Sequence, residues 1–437
     1  MKYYSKNITP DSLSGIVFAL EGINKSVVII NGPTGCKYYH SAISDSRFPR
    51  QTSFDPLNYP DKFYFKQPRV PCTYLDSYDY VYGSGEKLND LLDYIDKQDQ
   101  DLVAIVNSPG AALIGDDLAG IAAKKIHHSH VITIENPGYS QNFYRGFQDA
   151  LIVLLKSLPL ETAPGKKQGN LVNLIGISIY NKYFLGDIQE MERLFNACGL
   201  QINCVLCADT SLEEIKKIPQ ADLNVILYPE LGLEVAKYLQ EALGMPYFLF
   251  DRGLPIGFDL TQSYFEGVLR EESLAGGASF TSRSLISALE KARADAYIPI
   301  SNVYALTGLP KGTTFAVEAP SSALLAYTDF LFQYLGMVPT SLNLPEDDPG
   351  LYEEQVQDLL KEHHLESAWQ RDIFAAKSDI VLSNGSTIAQ LKLQEQIFSG
   401  IEIELPSLGY LDVIPKTHLG IQGSLLLVEQ LLNGLNF

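Results

Sequence analysis

Short apolar runs, rich in β-branched residues, recur along this chain. Each leads into a Gly, Pro, Asp or Ser turn and then into a helical pattern. They lie in VVIINGPTGC (27–36), LVAIVNSPGAALIGDD (102–117), HVITIENPGYS (130–140), LVNLIGIS (171–178) and INCVLCADTSLEEI (202–215). Further runs are LNVILYPELG (223–232), PYFLFDRGLPIG (246–257), TTFAVEAPSS (313–322), DIVLSNGST (379–387) and IEIELPSLGY (401–410). None shows strict apolar–polar alternation, as expected for strands covered on both faces. Between them, Leu88, Leu91, Leu92 and Ile95 fall on one helical face, and Leu118, Ile121, Ala122 and Ile126 nearly do. Ser211 precedes Glu214 by three residues, a capping-box spacing that marks a helix start. The alternation predicts an α/β protein with mostly parallel sheets and crossover helices. Ten strands are too many for one small doubly wound sheet.

Two seams divide the chain. TAPGKKQGN (162–170) is a polar Pro/Gly linker, and a softer break falls within 272–312, at ESLAGGA and LPKGTT. Three α/β domains are expected, over 1–163, 164–300 and 301–437. Ligands of such sheets sit at the carboxyl ends of the strands, where Cys36, Ser108 and Asp209 fall.

The charge narrows the partners. With 33 basic and 52 acidic residues the net charge is −19, which argues against nucleic acid or an anionic membrane as partner. No run of 18 apolar residues is present, so no membrane span is expected. The N-terminal MKYYSKNITPDSLSG lacks the apolar core of a signal peptide, and a cytoplasmic location is expected. The cysteines are Cys36, Cys72, Cys198, Cys204 and Cys207; an odd, sparse set argues against a disulfide framework.

Cys36 follows a strand and the turn Gly32-Pro33-Thr34-Gly35, at the start of a helix expected over 37–44. Helix N-terminal amides favour the thiolate, the form that binds iron, so Cys36 reads either as a metal ligand or as a small core thiol. His40 lies one turn later. Cys72 sits in a strand-like RVPCTYL, ahead of a helix from Glu86. An iron–sulfur cluster usually takes four ligands, mostly thiolates. Two cysteines in the first domain fall short, but two subunits facing each other could pool Cys36 and Cys72, with a carboxylate such as Asp11 as substitute. Cys204 and Cys207 have a redox or zinc spacing, but strand alternation separates them, and the pair reads better as core; of the two, Cys207 at the strand end could reach a site, and Cys198 reads as core. LIGDDLAG (113–120) reads as a capped helix start. His127, His128 and His130 beside Lys124 and Lys125 suit a helix C-terminus better than a metal. His418 reads as a loop residue. GSGEK (83–87) and GLPKGTT (308–314) lack phosphate-loop spacing, so no nucleotide is expected on this chain.

The order of the segments is more specific than any one of them. INGPTGC, then DYVYGSGEKL, then SPGAALIGDDLAGI, then VITIENPGYSQNFYRGF resembles nitrogenase component 1 and its relatives. INCVLCADTSLEEI is similar to that family's strand–Gly-Asp–helix, PIGFDLTQSYFEGV resembles a β-type subunit segment, and THLGIQGSLLLVEQLLNGL resembles that subunit's last helix. The likeness spans nearly the whole chain and points to a nitrogenase-like protein rather than a true nitrogenase.

The resemblance implies three Rossmann-like domains and a partner, either a second copy or another component 1-type subunit. It implies a separate ATP-dependent iron protein as electron donor. It also implies an iron–sulfur cluster at the subunit interface, here a shared [4Fe-4S] type. On this comparison Cys36 matches the glycine-turn ligand. Asp11 and Ser108 (or Pro109) fall near two other ligand positions without a thiol. Cys72 lies close to the region without a certain counterpart. Tyr228 falls where the α-type subunit has a cofactor cysteine. Two functions follow: a reductase subunit acting on a small molecule or tetrapyrrole-like substrate, or a non-catalytic assembly scaffold or structural β-type partner.

Overall fold

Each of the ten apolar runs supplies a strand in the computed structural model, which describes residues 10–38, 61–65, 69–138, 141–161, 169–274, 282–409 and 412–435. The chain is an α/β protein; its described residues form three sheets, and every strand pairing within them is parallel. The first sheet has the order β1 (Ser26–Asn31), β2 (Leu102–Asn107), β3 (His130–Ile134). The second runs β5 (Gln201–Val205), β4 (Leu171–Ile175), β6 (Leu223–Ile226), β7 (Tyr247–Phe248). The third runs β11 (Ser399–Glu404), β10 (Ile380–Asn384), β8 (Thr314–Glu318), β9 (Val338–Asn343). The eleventh strand, β9, is not among the apolar runs. The interval 272–312 carries the long helix Arg283–Thr307.

Both faces of the first sheet are covered. Val27, Ile29, Val103 and Ile105 point to one side and pack under the helices Gly85–Ile95 and Leu118–Lys125, through Leu88, Leu91, Leu92 and Leu118. Val28, Ile30, Ala104 and Val106 point to the other side, into a core continuous with the other two sheets. The strand period of two thus divides neighbouring residues between two cores.

The helices Ser12–Glu21 and Phe143–Ser157 cross closely on this inner side. A Cβ on Gly15 would lie 2.1 Å from the Phe143 carbonyl oxygen, and one on Gly146 would lie 2.1 Å from that of Ser12. Only glycine lets the two backbones meet at these points. At the far end of the chain, helix Gly420–Gly434 packs back onto the helices Phe184–Ala197, Phe258–Leu274 and Arg283–Thr307. Its first amides, Ile421 and Gln422, donate to Glu190 Oε1 at 2.8 and 3.0 Å. The expected capping box also forms, with Ser211 and Glu214 satisfying each other's backbone amides. Among the described residues no helix is long and apolar enough to cross a membrane.

Candidate functional site

Strand β1 ends on Asn31, whose buried amide ties the surrounding loops together. Its Nδ2 donates to Ser84 Oγ at 3.0 Å and to Asn107 Oδ1 at 2.8 Å, and its Oδ1 accepts from Thr73 Oγ1 at 2.9 Å. Gly32 then turns the chain. Its amide donates to Thr73 Oγ1 at 3.0 Å, and its carbonyl accepts from the Leu75 amide at 2.9 Å. A Cβ at this position would lie 2.6 Å from Ser108 Oγ, so the glycine makes room for Ser108 against the turn. Residues 34–38 are helical, and Cys36 stands half-buried in this first turn. The remainder of the helix expected over 37–44, and His40, lie outside the described residues.

Cys72 lies beneath the turn, bridged to Ile30 and fully buried. Its thiol donates to the Gly32 carbonyl at 3.1 Å, and its sulfur accepts from the Tyr74 amide at 3.4 Å. Burial pushes this thiol up to about 12, against the opposing pull of the Tyr74 amide and Lys37. At neutral pH it is a protonated prop for the turn. The structure thus encloses the thiol that the sequence offers as a second ligand. The same segment is anchored by Arg69, which pairs with Glu21 at 2.6 Å with the two side chains only 8% and 1% exposed. The buried Lys37 ammonium donates to the Arg69 carbonyl.

Ser108 is fully buried at the end of β2; its amide donates to the Asn31 carbonyl at 2.9 Å and its Oγ accepts from the Ala111 amide at 3.3 Å. Asp11 caps helix Ser12–Glu21, accepting from the Ser14 amide at 3.0 Å, and is bridged to Asn142 in the segment that follows β3. Cys36, Cys72, Ser108 and Asp11 thus all lie along the carboxyl edge of the first sheet. Near the turn, Tyr78 and Tyr82 lie with ring centroids 4.4 Å apart, and Val81 and Leu113 are further exposed apolar side chains.

The other candidates do not join this group. Cys198 caps helix Phe184–Ala197 within the core. Cys204 is buried, and Cys207, expected to be able to reach a site, is enclosed with Gly22 packed against its carbonyl. His127 Nδ1 lies 3.0 Å from Asp96, and His130 Nε2 lies 2.8 Å from Ser157. Among the described residues no group of three or more His, Cys, Asp or Glu side chains is placed to hold a metal ion.

Sequence reasoning missed a second feature. A cavity of about 60 Å³ lies where the three sheets meet, beyond the carboxyl ends of β4, β6, β8 and β11. Tyr144, Tyr180, Tyr228 and Tyr327 line it, with Asp187, Glu230, Glu404 and His418. His418 is a buried member of the wall rather than an ordinary loop residue: its Nδ1 lies 2.7 Å from Tyr327 Oη and its Nε2 lies 2.7 Å from Gln430 Oε1. Tyr228 donates to Asp187 Oδ2 at 2.8 Å, and Thr417 donates to Asp187 Oδ1 at 2.6 Å. Glu230 accepts from Ser321 Oγ, the Ser322 amide and Ser322 Oγ at 2.8–2.9 Å, which pins the helix after β8 to the helix after β6. Nothing in the sequence joins these residues, because they come from six separate segments.

Burial raises Asp187 to about 7, and the two hydrogen bonds only partly offset it. An unfolded aspartate releases its proton near pH ~4. The fold therefore binds more protons than the unfolded chain between these values, and this group's contribution to stability falls as pH rises through that window. His418, which burial holds down to about 4, contributes the opposite slope up to the ordinary histidine value of ~6.5. Asp187→Asn removes the first titration. Urea melts at pH ~5 and ~8 are expected to show the variant gaining on the parent at the higher pH. An equal difference at both values would show that Asp187 does not titrate this way.

The comparisons with known proteins agree with this architecture. The sequence profile of the nitrogenase component 1 type oxidoreductases matches residues 12–436. The chain belongs to that family. Relatives include the B-type polypeptide of light-independent protochlorophyllide reductase from Synechococcus sp. (strain CC9605), 28% identical over 181 residues, or 39% of this chain and 34% of that protein. Its counterpart from Synechocystis sp. (strain ATCC 27184 / PCC 6803 / Kazusa) is 27% identical over 231 residues, 50% of this chain and 42% of that protein. The matched segments thus span well under half of these relatives. Among solved structures, nitrogenase Cp1 at pH 6.5 superposes with a TM-score of 0.74 and 18% identity, covering 99% of this chain and 94% of that one. At that identity the likeness shows the fold: a component 1 fold, nitrogenase-like.

Proposed function

We propose that this chain is one subunit of a nitrogenase-like reductase and that Cys36 supplies one ligand to an iron–sulfur cluster shared with a second component 1-type subunit. The observation that carries this reading is Cys36 itself. It is the half-exposed cysteine on the carboxyl edge of the first sheet, in a turn braced by Cys72, Thr73 and Ser108. The residues fit one corner of such a cluster, and the partner completes it. When bound, the cluster supplies one-electron transfer, fed by an ATP-dependent iron protein. This chain's own residues orient the Cys36 sulfur, exclude water beneath it and offer the exposed apolar side chains of Tyr78, Val81, Tyr82 and Leu113 to the partner. The likeness to the B-type polypeptides of light-independent protochlorophyllide reductase favours a two-subunit enzyme acting on a small molecule or tetrapyrrole-like substrate. Ser108 and Asp11 stand as lesser ligand candidates on the same edge, and Cys72 is one only if the turn above it opens.

A second reading has its own support. Tyr228, at the position the resemblance assigns to an α-type cofactor cysteine, is hydrogen-bonded to Asp187. That favours a β-type structural partner or scaffold whose companion holds the substrate. Anaerobic purification with iron and sulfide counts, of the chain alone and with its partner subunit, tests the cluster. Iron is expected in the assembled form, and iron-free protein in both preparations would refute the cluster. Mixing the assembly with an iron protein and ATP separates the two functions: ATP turnover is expected for the reductase, and its absence would leave the scaffold.

A further inference from the structure

We propose that the cavity between the three sheets is a binding site for a small organic cation, an alkylammonium of a few heavy atoms, held by the Glu404 carboxyl among the phenol rings of Tyr144 and Tyr180. This goes beyond the reductase reading and does not depend on a cluster at Cys36.

The unpaired polar groups of the wall carry the inference. Glu404 is half-buried and lines the cavity. Its carboxyl has no hydrogen-bond partner among the described residues, whereas the other two carboxyls of the wall are satisfied: Glu230 by Ser321 and Ser322, Asp187 by Tyr228 and Thr417. The hydroxyls of Tyr144 and Tyr180 likewise have no partner among the described residues, and both lie close enough to feel the Glu404 charge. All three are half-buried around this space, so a ligand seated in it meets three groups with free hydrogen-bonding capacity.

Charge selects the ligand. The groups that act on Glu404 are Glu318 of β8, Asp348 and Glu230, all acids. The phenols of Tyr144, Tyr180 and Tyr327 face it from three further elements. Lys182 lines the cavity too, but its ammonium is held by Asp412 at 3.0 Å and Glu402 at 3.4 Å. His418 is neutral, since burial depresses it. Acids, protonated or not, give an anion no cationic partner here, since Lys182 is already paired and His418 is neutral. A cation would pair with Glu404 and lie against aromatic faces, the arrangement that recognises alkylammonium groups. Size selects further: about 60 Å³ is room for only a few waters at ~10–15 Å³ each. Burial and the three neighbouring carboxyls hold Glu404 in its protonated form well above the ordinary range. Cation binding therefore breaks its O–H bond and sends that proton to solvent.

The test uses the purified full chain and three probes at matched ionic strength: trimethylammonium chloride, sodium acetate and tert-butanol. Trimethylammonium is expected to raise the melting temperature saturably, and the other two are not. Calorimetry in two buffers of different ionisation heat is expected to show about one proton released per cation bound. Glu404→Gln is expected to weaken the cation effect at least about tenfold without lowering the ligand-free melting temperature. Tyr180→Phe, which keeps the ring, is expected to retain binding, and Tyr180→Leu to weaken it. No saturable response to the cation, an equal response to acetate or tert-butanol, or full binding by Glu404→Gln would overturn the proposal. If Glu404→Gln does not fold, the Tyr180 pair decides, and equal binding by Phe and Leu would overturn it.

Discussion

Cys36→Ala is expected to remove most of the iron from the anaerobically purified assembly, while Cys72→Ala keeps it. The two thiols lie on either side of the same glycine turn, but their settings differ. Cys36 stands half-buried on the outer side of the turn, whereas Cys72 is enclosed and already donates to the Gly32 carbonyl. A ligand must give up its proton and present its sulfur to the metal. Cys72, pushed up to about 12, does neither without the turn moving. Its loss removes one prop, whereas loss of Cys36 removes a bond to iron. The measurement is iron and sulfide per assembly for both variants beside the parent. Full iron in Cys36→Ala would show that Cys36 is a packing residue, and loss of iron in Cys72→Ala with retention in Cys36→Ala would reverse the assignment.

Arg69→Met is expected to destabilise the chain by about 3–5 kcal/mol. The variant leaves the Glu21 carboxylate, 1% exposed, without the guanidinium that meets it at 2.6 Å. Most of that cost is the charge left stranded, not the strength of the bond. The double variant Glu21→Leu/Arg69→Met removes both charges and is expected to recover most of the loss, as read from urea midpoints. A double variant as unstable as the single one would show that the pair contributes by geometry instead. Arg69 also takes the Lys37 ammonium on its carbonyl, and its segment leads directly to Cys72. Reaction of Cys72 with a thiol reagent is therefore expected to speed up in the single variant and less so in the double.

The sheets were legible because most of their strands are buried on both faces and so appear as unbroken apolar runs, with β3 and β5 only partly covered. Strand β9 is the exception that shows the rule. Its VPTSLN carries a proline and three polar residues, and it lies at the edge of its sheet, with β8 as its strand neighbour and a single bridge from Leu342 to Trp369 on the other side. An edge strand tolerates Pro339, which has no amide to donate. The Cys36 turn was legible because its chemistry is local: a strand, two glycines and a thiol within ten residues. Cys207 is core rather than site-facing because the strand ends early and the chain turns back with φ +60° at that residue, placing it under Gly22. The cavity was illegible for the opposite reason from the turn. Tyr144, Tyr180, Tyr228, Tyr327, Glu404 and His418 are dispersed over some two-thirds of the chain, and each has an ordinary local setting.

The way helix Gly420–Gly434 returns to Glu190 has a consequence for the order in which the molecule is made. A ribosome releases the first two sheets long before residues 417–434, and earlier segments begin to fold first. Thr417, which meets Asp187, and His418, which meets Tyr327, arrive with that last helix. Until they do, one wall of the central cavity is open to water and Glu190 waits without the amides that it caps. The cavity wall is thus completed by residues 417–430, which follow every other wall residue in the chain.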